Sequence, residues 1–173
     1  EVVYPADFQL VLAANPCACQ RIKGQCTCKS PQRARHLSNV SGPLKDRLDV
    51  FITTAGDAAV LSPRDAEPSI SIAQRVASSR ERAAARWAKA GCNETVNGRV
   101  PATLIRRHFP AKESAMAMLQ AALMEGKITQ RGVDKCLKLA WTLADLEEMD
   151  QPDIHHVCRA VEMREHQLQQ EVA

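Results

Sequence analysis

Aromatic residues are scarce in this chain, 3% of 173 residues. With so few rings, the core has to be built from Leu, Val, Ile, Met and Ala, a composition that leans toward helices. A large charge of one sign is missing too. The net charge of +3 is too small by itself to argue for a nucleic-acid partner. No apolar run approaches the roughly 18 residues of a membrane span, and no signal peptide is recognisable. The sequence opens on Glu1 and not on Met, which leads us to expect a piece of something longer.

Cysteine, by contrast, is concentrated. Four of the seven, Cys17, Cys19, Cys26 and Cys28, form two Cys-x-Cys pairs directly after an apolar run that ends in Asn15. Four thiolates can fill a tetrahedral zinc site, with a structural role because no position stays open. Turns at Pro16 and Gly24 would bring the pairs together, and Arg21, Lys23 and Lys29 would lower the thiol pKa values. Disulfides or four metal-free thiols are the alternatives. Cys136 and Cys158 occupy apolar helical positions, where a buried thiol is the default. That usage fits a reducing compartment, the cytoplasm.

Periodicity divides the chain near Pro68. Before it, residues 8–14 and 48–54 read as two short buried strands. Ser30 as N-cap and Pro31 at the first helical position start a helix that should run to about Asn39. Ser41-Gly42-Pro43 opens a short helical turn carrying Asp46 and Arg47. A Gly/Pro/Asp-rich linker follows, 55–68. Beyond it the chain reads as wholly helical. Ile72, Val76, Ala83, Trp87 and Ala90 mark one inward face, with Gly91 as the stop. Arg75, Arg82, Arg86 and Lys89 form a stripe beside it. Further helices are expected over 101–108 and 113–125. Thr129 should cap another, burying Val133, Cys136, Leu137, Ala140, Trp141 and Ala144. Asp150 should cap the last, burying Ile154, Val157, Cys158 and Val161. Short connections between amphipathic helices describe a small bundle.

Five strings then narrow the reading. Asp7-Phe-Gln-Leu-Val-Leu-Ala-Ala-Asn15-Pro-Cys17-Ala-Cys19 is followed by Cys26-Thr-Cys28. Next comes Ser41-Gly-Pro-Leu-x-Asp46-Arg47-Leu-Asp49, and later Thr129-Gln-Arg131-Gly-Val-Asp134 with Leu139-Ala-Trp-Thr-Leu-Ala-Asp-Leu146. Together and in this order they resemble the magnesium-chelatase-like AAA+ ATPases, in the ComM/YifB branch. The resemblance implies a mainly α chain: residues 69–173 form a helical lid domain. Residues 1–68 would be the last portion of the α/β P-loop core, interrupted by the cysteine-rich insertion. A remnant of two strands is marginal in water.

The same resemblance assigns roles. Asn15 matches sensor 1, whose amide orients the water that attacks the γ-phosphate. Arg47 matches the arginine finger, which reaches a neighbouring subunit's nucleotide. Arg131 matches the lid's sensor 2 arginine, expected at its own subunit's ATP. Read from residues alone, the same three would be a turn cap, a surface ion-pair partner and a solvated arginine. Family members often carry an arginine where Trp141 stands; its place on the apolar stripe makes Trp141 a packing residue. ATP and Mg²⁺ would be bound mainly upstream, because this chain has neither the Gly-x-x-x-x-Gly-Lys-Ser/Thr loop nor the acidic magnesium strand, and alone it should be inactive. The parent would form a homo-oligomer, a hexamer, and couple ATP hydrolysis to DNA remodelling and branch migration in natural transformation. The alternative is a zinc-stabilised nucleic-acid-binding module, using the Arg75–Lys89 stripe for phosphates, or a helical protein-interaction module, in either case without ATPase activity.

Overall fold

A computed structural model describes residues 5, 8–15, 17–19, 26–53 and 67–165. The chain forms two compact units, Glu1–Lys45 and Asp46–Ala173. The described residues hold seven helices and no strand: α1 Ser30–Leu37, α2 Gly42–Arg47, α3 Ser69–Lys89, α4 Ala102–His108, α5 Glu113–Met124, α6 Gln130–Leu146 and α7 Ile154–Glu165. Most of the expected linker, 55–66, lies outside the described residues, and Pro68, where the domain boundary is expected, is the N-cap of α3.

The two expected strands are the main correction. Residues 8–14 and 48–53 are irregular. Phe8, Val11 and Ile52 are 71%, 80% and 78% exposed. A strand exists through its ladder, and neither run is assigned to one. Leu48 and Phe51 are half-buried, but most of the other apolar residues of the two runs are exposed. Instead, Phe51 N donates to Met163 O at 2.8 Å, which ties the second run to α7.

In the first unit, Lys29 rather than Ser30 is the N-cap of α1, so Ser30 and Pro31 sit inside the first turn. Lys29 N donates to Gln32 Oε1 at 3.0 Å. This is half of a capping box, the Gln32 side chain accepting from the N-cap backbone, and no N-cap side chain caps the helix in return.

The second unit is organised around α6. This helix buries Val133, Cys136, Leu137, Ala140, Trp141 and Ala144, as its periodicity predicts, and α3, α4, α5 and α7 all pack on it. Thr129 caps it, its hydroxyl accepting from Gly132 N at 3.0 Å. Gly91 and Gly126 stop α3 and α5 at φ +70° and +71°, a conformation that a Cβ disfavours. Asp153, not Asp150, caps α7: its Oδ1 accepts from His155 N at 3.0 Å and His156 N at 3.3 Å. Asp150 instead pairs with Arg82 at 3.3 Å.

Three of the six aromatic residues meet in the core. Trp87, Phe109 and Trp141 pack edge to face, with centroids 5.0, 6.2 and 6.4 Å apart, the arrangement their ring quadrupoles favour. Trp141 donates to Phe109 O at 2.9 Å, in keeping with the packing role expected of it. Only the C-terminal half of α3 joins this core. Ala83 and Trp87 are buried, whereas Ile72 and Val76, expected inward, are 42% and 37% exposed.

A polar network fastens α3 to α6. The Arg86 guanidinium grips Asp145, with Nη1–Oδ1 at 3.0 Å, and lies 4.0 Å over the Trp141 ring. Asn97 bridges the rest: Trp87 Nε1 donates to its Oδ1 at 2.9 Å, and its Nδ2 donates to Asp145 Oδ2 at 2.9 Å. Burial pushes the Asp145 carboxyl up and the Arg86 guanidinium down, while each group's charge holds the other ionised.

Candidate functional site

Within the second unit, Arg47 and Arg131 line one open cleft of about 570 Å³, together with Lys135, Lys138, Asp49 and Asp134. Both arginines are exposed. Arg131, Lys135 and Lys138 follow one another on α6 at spacings of four and three, so they share a face of that helix. Arg47 arrives from the last residue of α2.

The cations are partly engaged. Arg131 Nη1 meets Asp46 Oδ2 at 2.5 Å. That hydrogen bond, more than any other influence, holds the Asp46 carboxyl below its ordinary value. The pair is therefore intact above the ordinary carboxylate range and is lost as pH falls through the lowered value. Lys135 meets Asp49 Oδ1 at 2.8 Å, and Arg106 pairs with Asp134. Lys138 donates to Gly98 O at 2.8 Å. Burial depresses its ammonium, so an anion entering the cleft would be welcome there. Chemically, the cleft is a seat for a compact polyanion: the guanidinium forks of Arg47 and Arg131 and the Lys138 ammonium stand around a space large enough for phosphates, while Lys135 is turned to the backbone.

The stripe on α3 is different. Arg75 binds Glu67 at 2.7 Å, Arg82 binds Asp150, and Arg86 is committed to Asp145. Three of its four cations thus serve internal pairs. Two of these pairs, Arg75–Glu67 and Arg82–Asp150, lie at the surface, and only Arg86 is drawn into the core.

The first unit carries the other two candidates. Asn15 is exposed, and its carbonyl accepts from His36 Nε2 at 3.0 Å. The four cysteines converge: their sulfurs all lie within 4.8 Å of one another. Cys17 Sγ stands 3.0 Å from Cys19 Sγ and 3.4 Å from Cys26 Sγ. None of the described cysteines forms a disulfide. Ligands at about 2.3 Å from a tetrahedral zinc stand about 3.8 Å apart, so the donor set and its spacing fit such an ion. The Cys17 thiol is pushed up to about 12, first by its hydrogen bond with Cys19, then by Cys26 and by burial. The Cys28 thiol is raised as well, again chiefly through Cys19. Lowering by nearby cations was the expectation. For Cys17 and Cys28 the thiol–thiol hydrogen bonds and burial act the other way, and Arg21 and Lys23 lie outside the described residues. A metal would have to displace those protons, so its binding weakens in acid.

Sequence reasoning missed Lys135, Lys138 and His36. For the two lysines a signal was available, since they repeat with Arg131 at helical spacing. Nothing local marks His36.

The pattern described as magnesium chelatase, subunit ChlI C-terminal, matches residues 66–164. That described as magnesium chelatase, subunit ChlI, matches residues 1–60. The chain belongs to the magnesium chelatase subunit ChlI family. An uncharacterized protein of Mycobacterium tuberculosis is 42% identical over 164 residues, 94% of this chain and 32% of the relative. The uncharacterized protein YifB of Escherichia coli is 30% identical over 168 residues, 95% of this chain and 32% of the relative. The competence protein ComM of Haemophilus influenzae is 28% identical over 169 residues, again 95% and 32%. The chain therefore spans about a third of the length of these relatives. Among the described residues no helix is long and apolar enough to cross a membrane.

Proposed function

We propose that this chain is the C-terminal part of a magnesium-chelatase-like AAA+ ATPase, supplying sensor 1 (Asn15), the arginine finger (Arg47) and the lid arginine (Arg131) to a ring that hydrolyses ATP with Mg²⁺. The observation that carries the reading is the cleft on which Arg47 and Arg131 open together, in a chain of this family. A phosphoryl group in flight spreads charge over several oxygens, and catalysis is mostly positioning and charge stabilisation. Two exposed guanidiniums beside one polyanion-sized space suit that task. The sequence expectation assigned them to different nucleotides. The shared cleft favours a single polyphosphate that meets both.

The resemblance to ComM makes DNA the motor's substrate in this proposal, with a hexameric ring in the cytoplasm. The test is ATP turnover by the AAA+ ring, with and without branched DNA. DNA-stimulated hydrolysis supports the reading. A ring that assembles and binds ATP but never hydrolyses it removes the reading.

For the cysteine cluster we infer structural zinc. Protein purified without chelator should carry close to one zinc per chain by elemental analysis. Chelation should lower the melting temperature of the first unit, because binding free energy to a structural site is folding free energy. Metal-free and zinc-loaded protein melting alike would refute a structural role.

A further inference from the structure

We propose that Lys135 is a positioning residue for Arg47, an inference that rests on the finger assignment above. The last four carbonyls of a helix lack intrahelical partners, and Arg47 ends α2. Lys135 reaches this end from a helix that begins more than eighty residues later in the chain. Its ammonium has three donors, and three acceptors surround it on three consecutive residues. It donates to Arg47 O, to Leu48 O at 3.1 Å and to Asp49 Oδ1 at 2.8 Å. The Lys135 side chain is only 17% exposed, so this is a partly desolvated clamp and not a loose surface pair.

A second cation reinforces it. Arg164, on α7, donates to Leu48 O at 2.9 Å and Asp49 O at 3.4 Å. One turn before Lys135 on α6, Arg131 holds Asp46. Residues 46–49 are thus gripped on both sides of Arg47, by side chains of α6 and α7, while Arg47 itself stays exposed. Lys135 has no need to touch a nucleotide. It fixes the backbone from which the Arg47 guanidinium is aimed, and displacements of about 1 Å in such a group can cost about 10²-fold in rate.

The test is Lys135→Met in the AAA+ ring, read beside Arg47→Ala. The expected result is a fall of roughly 10²-fold in kcat, with KM and ATP binding unchanged and Lys135→Arg recovering most of the loss. A second readout separates positioning from general damage. Mixed with subunits lacking the phosphate-loop lysine, Lys135→Met subunits should regain activity as Arg47→Ala subunits do, because the defect travels with the finger. Arg47→Ala inactive with Lys135→Met normal overturns this inference alone. Both variants normal overturns the finger assignment and this inference with it. If Lys135→Met does not fold, Arg164→Met carries the test: a smaller kcat loss with the same mixed-ring recovery is expected, and normal turnover overturns the proposal.

Discussion

Arg47→Ala should lower ATP hydrolysis by the ring roughly 10³-fold or more while ATP binding stays nearly intact. In the proposed role the guanidinium would act on charge that develops as the γ-phosphoryl group leaves, so its removal would raise the barrier and not the dissociation constant. In the proposed assignment the finger would work from the neighbouring subunit, which gives the prediction its decisive form. Arg47→Ala subunits keep their phosphate loop, and loop-dead subunits keep their finger. Mixing the two inactive proteins should restore part of the activity, at interfaces that pair the intact halves. Arg131→Ala should behave in the same way if one polyphosphate meets both arginines, and should weaken nucleotide binding without recovery if it serves its own subunit. Mixed rings that form and remain inactive would reduce Arg47 to an ordinary ion-pair residue.

The second large effect concerns stability. Asp145→Ala should cost about 3–5 kcal/mol, enough to consume much of a domain's usual margin. The Arg86 guanidinium would be left buried without its counter-charge, and Asn97, which bonds Trp87, would lose one of the two acceptors of its amide. Urea melts of the wild type and the variant measure the difference directly. The double replacement Arg86→Met with Asp145→Leu should recover most of the loss, because a buried ion pair replaced as a unit by apolar residues is often neutral. A loss below about 1 kcal/mol for Asp145→Ala would mean that water reaches the site and that the network is not structural.

The helical unit was legible because its signals are local. Thr129 before an amphipathic stretch and glycines at 91 and 126 act within a turn of where they stand. The cysteine cluster was legible for the same reason. Residues 8–14 and 48–53 looked like strands because an apolar run reports a wish to be buried but not the neighbour that would satisfy it. Ile72 and Val76 misled likewise: their period is helical, but α6 covers only the other half of α3. The grip on residues 46–49 left no mark in the sequence. Asp46, Lys135 and Arg164 stand far apart in the chain, and only the tertiary fold brings them together.

Both tryptophans of the chain, Trp87 and Trp141, lie in the same buried aromatic cluster of the helical unit, 6.2 Å apart. Indole emission is therefore a private optical reporter of that unit. A fluorescence melt will follow the collapse around α6 and stay blind to the cysteine-bearing unit, whose state has to be followed by its metal content. Recorded side by side on one sample, the two signals tell whether the halves of the chain come apart together or one after the other.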